Sequence, residues 1–191
     1  MKRAVIVHGW GGNPEEGWFP WLKKELKTRS FEIIVPELPD AETPRINKWV
    51  PALAAAVGEV DGNTYFIGHS MGCQTIARYL EGLDESIRVG GVVYVAGFFD
   101  SLTLGEDEEE KVWSEWKNTP LDLSRVRARS PKSIAIFSDN DPYVPLSNQD
   151  DFKDTLGSEI ITQHAMGHFS GSSGCFELPV VLESVLKLAQ N

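Results

Sequence analysis

Apolar residues gather into six short runs along the chain, at positions 4–7, 32–35, 64–67, 92–96, 133–137 and 159–162, each rich in Val, Ile, Tyr or Phe. None alternates cleanly between apolar and polar, which is the pattern of strands buried on both faces of a parallel sheet. Stretches 18–26, 47–60, 73–83, 148–156 and 178–188 carry apolar residues at helical spacing instead. The alternation predicts an α/β fold of about six mostly parallel strands flanked by helices. Turn chemistry agrees. Pro36 and Pro39 close the second run, Asp61-Gly62-Asn63 leads into the third, and Pro179 suits the first turn of the last helix. With no internal repeat and no linker composition, residues 1–191 read as a single domain. One segment stands apart: 101–129 holds the acidic run 106–110 followed by Val112, Trp113 and Trp116, and is expected to form a short helical cap or flap.

Composition narrows the function classes. A chain of 191 residues, 41% hydrophobic, buries one sizeable core but not two. Its 18 basic and 28 acidic side chains leave a formal charge of -10, which works against nucleic-acid and anionic-membrane partners. No protein partner is indicated. Cys73 and Cys175 lie far apart, with neither CxxC nor a zinc-type Cys/His spacing, so no disulfide framework, structural metal or cofactor is expected. A reducing, cytoplasmic setting fits, because the apolar run after Lys2 and Arg3 gives way at once to His8 and glycines rather than to a signal-type stretch. No apolar segment reaches the length of a membrane span.

The strongest chemical signal is Gly68-His69-Ser70-Met71-Gly72, placed between a strand and a helix. That context is the one in which G-x-S-x-G forms a sharp turn presenting a nucleophilic serine above the sheet. Gly68 and Gly72 leave room for the turn, and the helix that follows offers unpaired N–H groups to an oxyanion. A serine hydroxyl needs a base, and the base needs a carboxylate to fix its tautomer. On this architecture the order should be Ser, Asp, His. After the run 133–137 comes Ser138-Asp139-Asn140-Asp141-Pro142, and after 159–162 comes His164-Ala165-Met166-Gly167-His168. Both loops fall at carboxyl ends of strands, where open α/β sheets collect their functional groups. Pro142 helps fix the loop that must aim the carboxylate, which favours Asp141 as the triad acid and leaves Asp139 to make the turn. His168 is expected to be the base, because Gly167 permits close backbone approach to the serine. His164 is expected to hydrogen-bond or pack locally, and His69 is given no catalytic role.

The first run ends in His8-Gly9-Trp10-Gly11-Gly12, a glycine-rich turn that delivers backbone N–H groups to the same sheet edge. Trp10 and Met71 are the candidate oxyanion donors. A dinucleotide or phosphate loop is not supported, since neither G-x-G-x-x-G nor a P-loop Lys-Ser/Thr is present. Trp18, Trp113 and Trp116 are candidate substrate-binding aromatics, with core packing as their alternative. The expected function is acyl transfer from a small ester, thioester or activated amide through an acyl-enzyme on Ser70. The alternative is an interaction module that keeps the fold with an occluded or misaligned triad.

Together, His8-Gly9-Trp10-Gly11-Gly12, Gly68-His69-Ser70-Met71-Gly72, Asp141-Pro142-Tyr143-Val144-Pro145 and Gly167-His168-Phe169 resemble the α/β-hydrolases. The short chain, its start on the His-Gly strand and Gly17-Trp18-Phe19-Pro20-Trp21-Leu22 look more narrowly like the retinoblastoma-binding-protein-9/YdeN group of small serine hydrolases. The resemblance covers nearly the whole chain. It implies a sheet without the leading antiparallel hairpin of larger relatives, a minimal cap, and the aspartate before Pro-x-x-Pro, here Asp141, as triad acid. It does not specify a substrate.

Overall fold

β-Branched runs with no polar interruption cannot leave either face in water, and the chain solves this by stacking them side by side between helices. The computed structural model describes residues 1–105 and 107–190; Glu106, first of the acidic run, lies outside the described residues. Strands β1 (Arg3–Val7), β2 (Glu32–Ile34), β3 (Thr64–His69), β4 (Gly91–Val95), β5 (Ser133–Ser138) and β6 (Glu159–Gln163) form one sheet in the order β2-β1-β3-β4-β5-β6. Every pairing is parallel. The central strands are fully buried, whereas the edge strands β2 and β6 are partly exposed. The fold is a single α/β-hydrolase domain.

Helices α1 (Phe19–Lys27) and α6 (Pro179–Gln190) pack against each other on one face; α2 (Ile46–Val57), α3 (Met71–Glu81) and α5 (Leu123–Arg129) pack in sequence on the other. Among the described residues, the segment 101–129 expected to form a cap or flap holds helix α4 (Asp107–Asn118) and helix α5. Helix α3 holds the end of α4 in place. Arg78 of α3 donates to the carbonyl oxygens of Trp116 (2.6 Å), Thr119 (3.0 Å) and Pro120 (3.3 Å), satisfying acceptors that a helix C-terminus leaves unpaired. The Trp116 indole donates to Pro44 O at 3.0 Å, and Glu115 accepts from Arg45 and from the Ile46 N–H.

Most boundaries shift by one to three residues from those the sequence predicts, and three of the differences have a local cause. The second helix stops at Val57 because Gly58 turns left-handed, with φ 64°. The fourth strand stops at Val95 because Ala96 has φ 47°. The helix expected over 148–156 is a 3-10 turn at Leu146–Asn148 followed by a π-helical turn at Asp151–Leu156. The wider turn carries Phe152 into the core, where its ring stacks on Phe99 at 4.6 Å and meets Tyr94 and Phe137 edge-on. Among the described residues no helix is long and apolar enough to cross a membrane.

Candidate active site

Because every strand runs the same way, the loops after β1, β3, β5 and β6 open on one edge of the sheet. At the end of β3 the chain turns so sharply that Ser70 takes φ 53° and ψ -122°, a conformation rare for a residue with a side chain. Several contacts enforce it. The Ser70 N–H donates to Val95 O of β4 at 2.9 Å. A Cβ on Gly72 would lie 2.3 Å from Val7 O, and one on Gly68 would lie 2.9 Å from the Cys73 nitrogen. Only glycine fits at either position.

The serine meets its expected partners. His168 Nε2 lies 2.9 Å from Ser70 Oγ, and His168 Nδ1 lies 2.8 Å from Asp141 Oδ2. A carboxylate can only accept, so the His168 proton sits on Nδ1 and leaves Nε2 free to take the serine's proton. Asp141 Oδ1 accepts from the N–H groups of Tyr143 (2.9 Å) and Val144 (3.0 Å), which fixes the carboxylate's rotation. The Asp141 side chain is 2% exposed and that of His168 13%. Burial pushes the imidazole's pKa below its ordinary value, and the hydrogen bond to Asp141 opposes this in part.

Residues 138–141 do more than supply an acid. Ser138 Oγ accepts from the Met166 N–H (3.0 Å), Asp139 Oδ1 from Ala165 N–H (2.8 Å) and Asn140 Oδ1 from Gly167 N–H (2.8 Å). Together with Asp141 on His168, four consecutive side chains grip the loop that carries the base. Asp139 also meets the exposed His164 Nδ1 at 2.6 Å, so its carboxylate ties two loops together rather than only making its own turn, and His164 hydrogen-bonds at the surface. Gly167 has a different role from the one expected. Its φ is 55°, and a Cβ there would sit 2.8 Å from Ser173 Oγ; the close approach is to the following turn, not to Ser70.

The loop after β1 packs directly on the nucleophile: a Cβ on Gly9 would lie 2.9 Å from Ser70 Cβ. The N–H groups of Trp10 and Met71 have no hydrogen-bond acceptor among the described residues, and both residues line the cavity beside Ser70 and His168. His8 orients this loop. Its Nε2 accepts from the Leu38 N–H at 3.1 Å, so Nδ1 carries the proton and donates to Gly9 O at 2.9 Å. Burial lowers the pKa of His8 too, which keeps that tautomer neutral.

The three tryptophans expected to bind substrate do not line the cavity. Trp18 (1% exposed), Trp113 (3%) and Trp116 (1%) are core residues. Each indole has a large apolar surface to bury, and Trp18 and Trp116 reach backbone acceptors inside the protein, at Phe169 O (2.9 Å) and Pro44 O (3.0 Å). Trp113 packs behind Phe98, ring centroids 5.1 Å apart. The cavity is lined by apolar Trp10, Met71, Phe98, Leu102 and Leu104, by Tyr143, whose ring centroid lies 5.1 Å from that of His168, by Ser170 and Ser172, and by the carboxylates of Glu42 and Glu109. The cavity measures about 340 Å³. Among the described residues no group of three or more His, Cys, Asp or Glu converges as a metal site would require.

Known proteins resemble this chain in sequence and in fold. The family model described as serine hydrolase matches residues 4–187. YdeN of Bacillus subtilis is 30% identical over 183 residues, covering 95% of this chain and 93% of that protein. The serine hydrolase RBBP9 of Rattus norvegicus is 29% identical over 187 residues, covering 96% and 95%. The crystal structure of the B. subtilis ydeN gene product superposes with a TM-score of 0.91 over 100% of both chains at 27% identity. Est1E from Butyrivibrio proteoclasticus shares the fold, with a TM-score of 0.74 at 14% identity over 100% of this chain and 89% of that one.

Proposed function

The chain belongs to the serine hydrolase family, and we propose that it hydrolyses small carboxylic esters, thioesters or activated amides through an acyl-enzyme on Ser70. His168 Nε2 takes the serine proton as Oγ attacks the carbonyl carbon. The developing oxyanion is met by the N–H groups of Trp10 and Met71, and the resulting imidazolium is held by Asp141. His168 then returns the proton to the departing alcohol, thiol or amine. Water repeats the sequence on the acyl-enzyme and frees the acid. The observation that carries this reading is the continuous chain Ser70 Oγ, His168, Asp141 at 2.9 and 2.8 Å.

The cavity walls bear on the substrate. A leaving group must lie near His168 to receive its proton, beside Tyr143, and the apolar lining residues Phe98, Leu102 and Leu104 are offered to the acyl group. An uncharged acyl chain of short to medium length suits that lining and the cavity's volume. An interaction module with the same fold would show an occluded or misaligned triad; an aligned triad at an open cavity favours turnover.

Incubation of the purified protein with a fluorophosphonate, and with p-nitrophenyl esters from acetate to octanoate, tests the proposal. Labelling at Ser70 and ester hydrolysis should both vanish in Ser70→Ala. Hydrolysis and labelling that persist in the variant, or that are absent from the wild type, would overturn it.

A further inference from the structure

The triad's front is well tethered, but the backbone at His168 and Phe169 needs support from behind. Phe169 is buried and has φ 53°, a left-handed conformation that a bulky residue keeps only where its surroundings over-determine it. Side chains 138–140 grip the loop through the N–H groups of residues 165–167, and none of them reaches the carbonyl groups of residues 168 and 169. Those two oxygens point to the opposite side, toward the end of β3 and the start of α1. There His69 Nε2 meets His168 O at 2.8 Å, and Trp18 Nε1 meets Phe169 O at 2.9 Å.

We propose that His69 and Trp18 are positioning residues whose ring N–H groups clamp the consecutive carbonyl oxygens of His168 and Phe169 and so hold the base in line between Asp141 and Ser70. The clamp rests on the acyl-transfer reading for its effect on rate. Carbonyl oxygens only accept, so His69 must carry a proton on Nε2. The rest of its ring is enclosed: edge contacts with Trp18 and Phe19 at centroid distances of 6.1 and 6.3 Å, and the His168 ring at 5.0 Å. Its Nδ1 has no hydrogen-bond partner, and the nearest carboxylate oxygen, Glu16 Oε1, is 3.7 Å away. The requirement at position 69 is therefore one N–H donor at the Nε2 position. The elbow's geometry couples the two halves of the site, since His69 is adjacent to the nucleophile in sequence while its donor fixes the base 99 positions away.

The distinguishing variants are His69→Phe and Trp18→Phe, which keep an aromatic ring and remove the donor, and His69→Gln, whose amide N–H reaches the same place. A shift of the base by a fraction of an ångström to 1 Å should lower kcat by about ten- to a hundredfold in the two phenylalanine variants. KM should stay within about twofold, because the clamp does not touch substrate. His69→Gln should recover the rate to within about threefold of wild type, since one neutral donor replaces another. A second readout is independent of turnover: the low-field proton resonance of His168 Nδ1–H in ¹⁵N-histidine-labelled protein should persist in His69→Gln and broaden or disappear in His69→Phe. Equal kcat and equal resonances in folded His69→Phe and His69→Gln would overturn the proposal. If instead the wild type shows no Ser70-dependent turnover or labelling, acyl transfer fails, and the resonance alone still decides whether the clamp exists.

Discussion

Replacing Asp141 by Asn changes one atom, and the structure dictates which way the new amide must face. Position Oδ1 receives two backbone donors, from Tyr143 and Val144, while Oδ2 receives one, from His168 Nδ1. An amide oxygen at Oδ1 keeps both backbone bonds and turns its NH₂ toward Nδ1. His168 must then accept at Nδ1 and carry its proton on Nε2, where it faces Ser70 and cannot act as base. The flipped amide would restore the tautomer but leave the Tyr143 and Val144 N–H groups facing an NH₂, at about 1–3 kcal/mol for the part-buried Val144 and less for the exposed Tyr143, or about 1.5–4 kcal/mol in total. At about 1.4 kcal/mol per factor of ten, that disfavours the competent form by about tenfold to about 10³-fold, below the loss of about 10⁴ typical when a triad acid becomes an amide. Steady-state hydrolysis of a p-nitrophenyl ester by Asp141→Asn should fall within that range, with a melting temperature close to wild type because the backbone bonds survive. The parallel change Asp139→Asn disturbs only Ala165 and the exposed His164 and should cost less than about tenfold. A folded Asp141→Asn with kcat/KM within about threefold of wild type, or an Asp139→Asn that is the more damaged of the two, would refute the reasoning.

Other consequences are as direct. Burial sets the pKa of His168 below its ordinary 6.5, and the base works only when neutral, so kcat/KM should fall as pH drops through a midpoint under 6.5 and be level at neutral pH; a midpoint above 6.5 in the pH profile contradicts this. Gly72→Ala forces a Cβ to 2.3 Å from Val7 O and should destabilise the fold by about 3 kcal/mol or more in urea denaturation, whereas Gly9→Ala presses on Ser70 Cβ at 2.9 Å and should lower kcat with a smaller loss of stability. Comparable melting curves for wild type and Gly72→Ala would count against the packing described. Asn140→Ala releases the Gly167 N–H and should speed amide hydrogen exchange across residues 164–168 while lowering kcat by about tenfold; unchanged exchange there would show that the loop does not depend on this side chain.

The parts of the molecule legible in its sequence are those whose partners are close along the chain or fixed by strand order. Apolar runs such as Ala4 to Val7 have only one home, a strand covered on both faces. The elbow declares itself because Gly68, Ser70 and Gly72 sit between a strand and a helix, and the loops bearing Asp141 and His168 follow from their places after β5 and β6. Aromatic side chains were harder to place: an indole at helical spacing looks the same whether it faces a cavity or the core, and Trp18, Trp113 and Trp116 all face the core. The actual wall residues Phe98, Leu102 and Leu104 lie after β4 in a loop without periodicity, so no pattern marks them. His69 and Asn140 act on backbone groups 99 and 27 positions away, and a backbone partner leaves no trace in residue identity.

Arg78 belongs to the same buried helix whose first turn follows Ser70, and it grips three carbonyl oxygens where α4 ends. The end of α4 and the nucleophile thereby hang from one helix. Leu102 and Leu104, which line the cavity outside that helix, are expected to be exchangeable for other acyl preferences with the masonry beneath left alone.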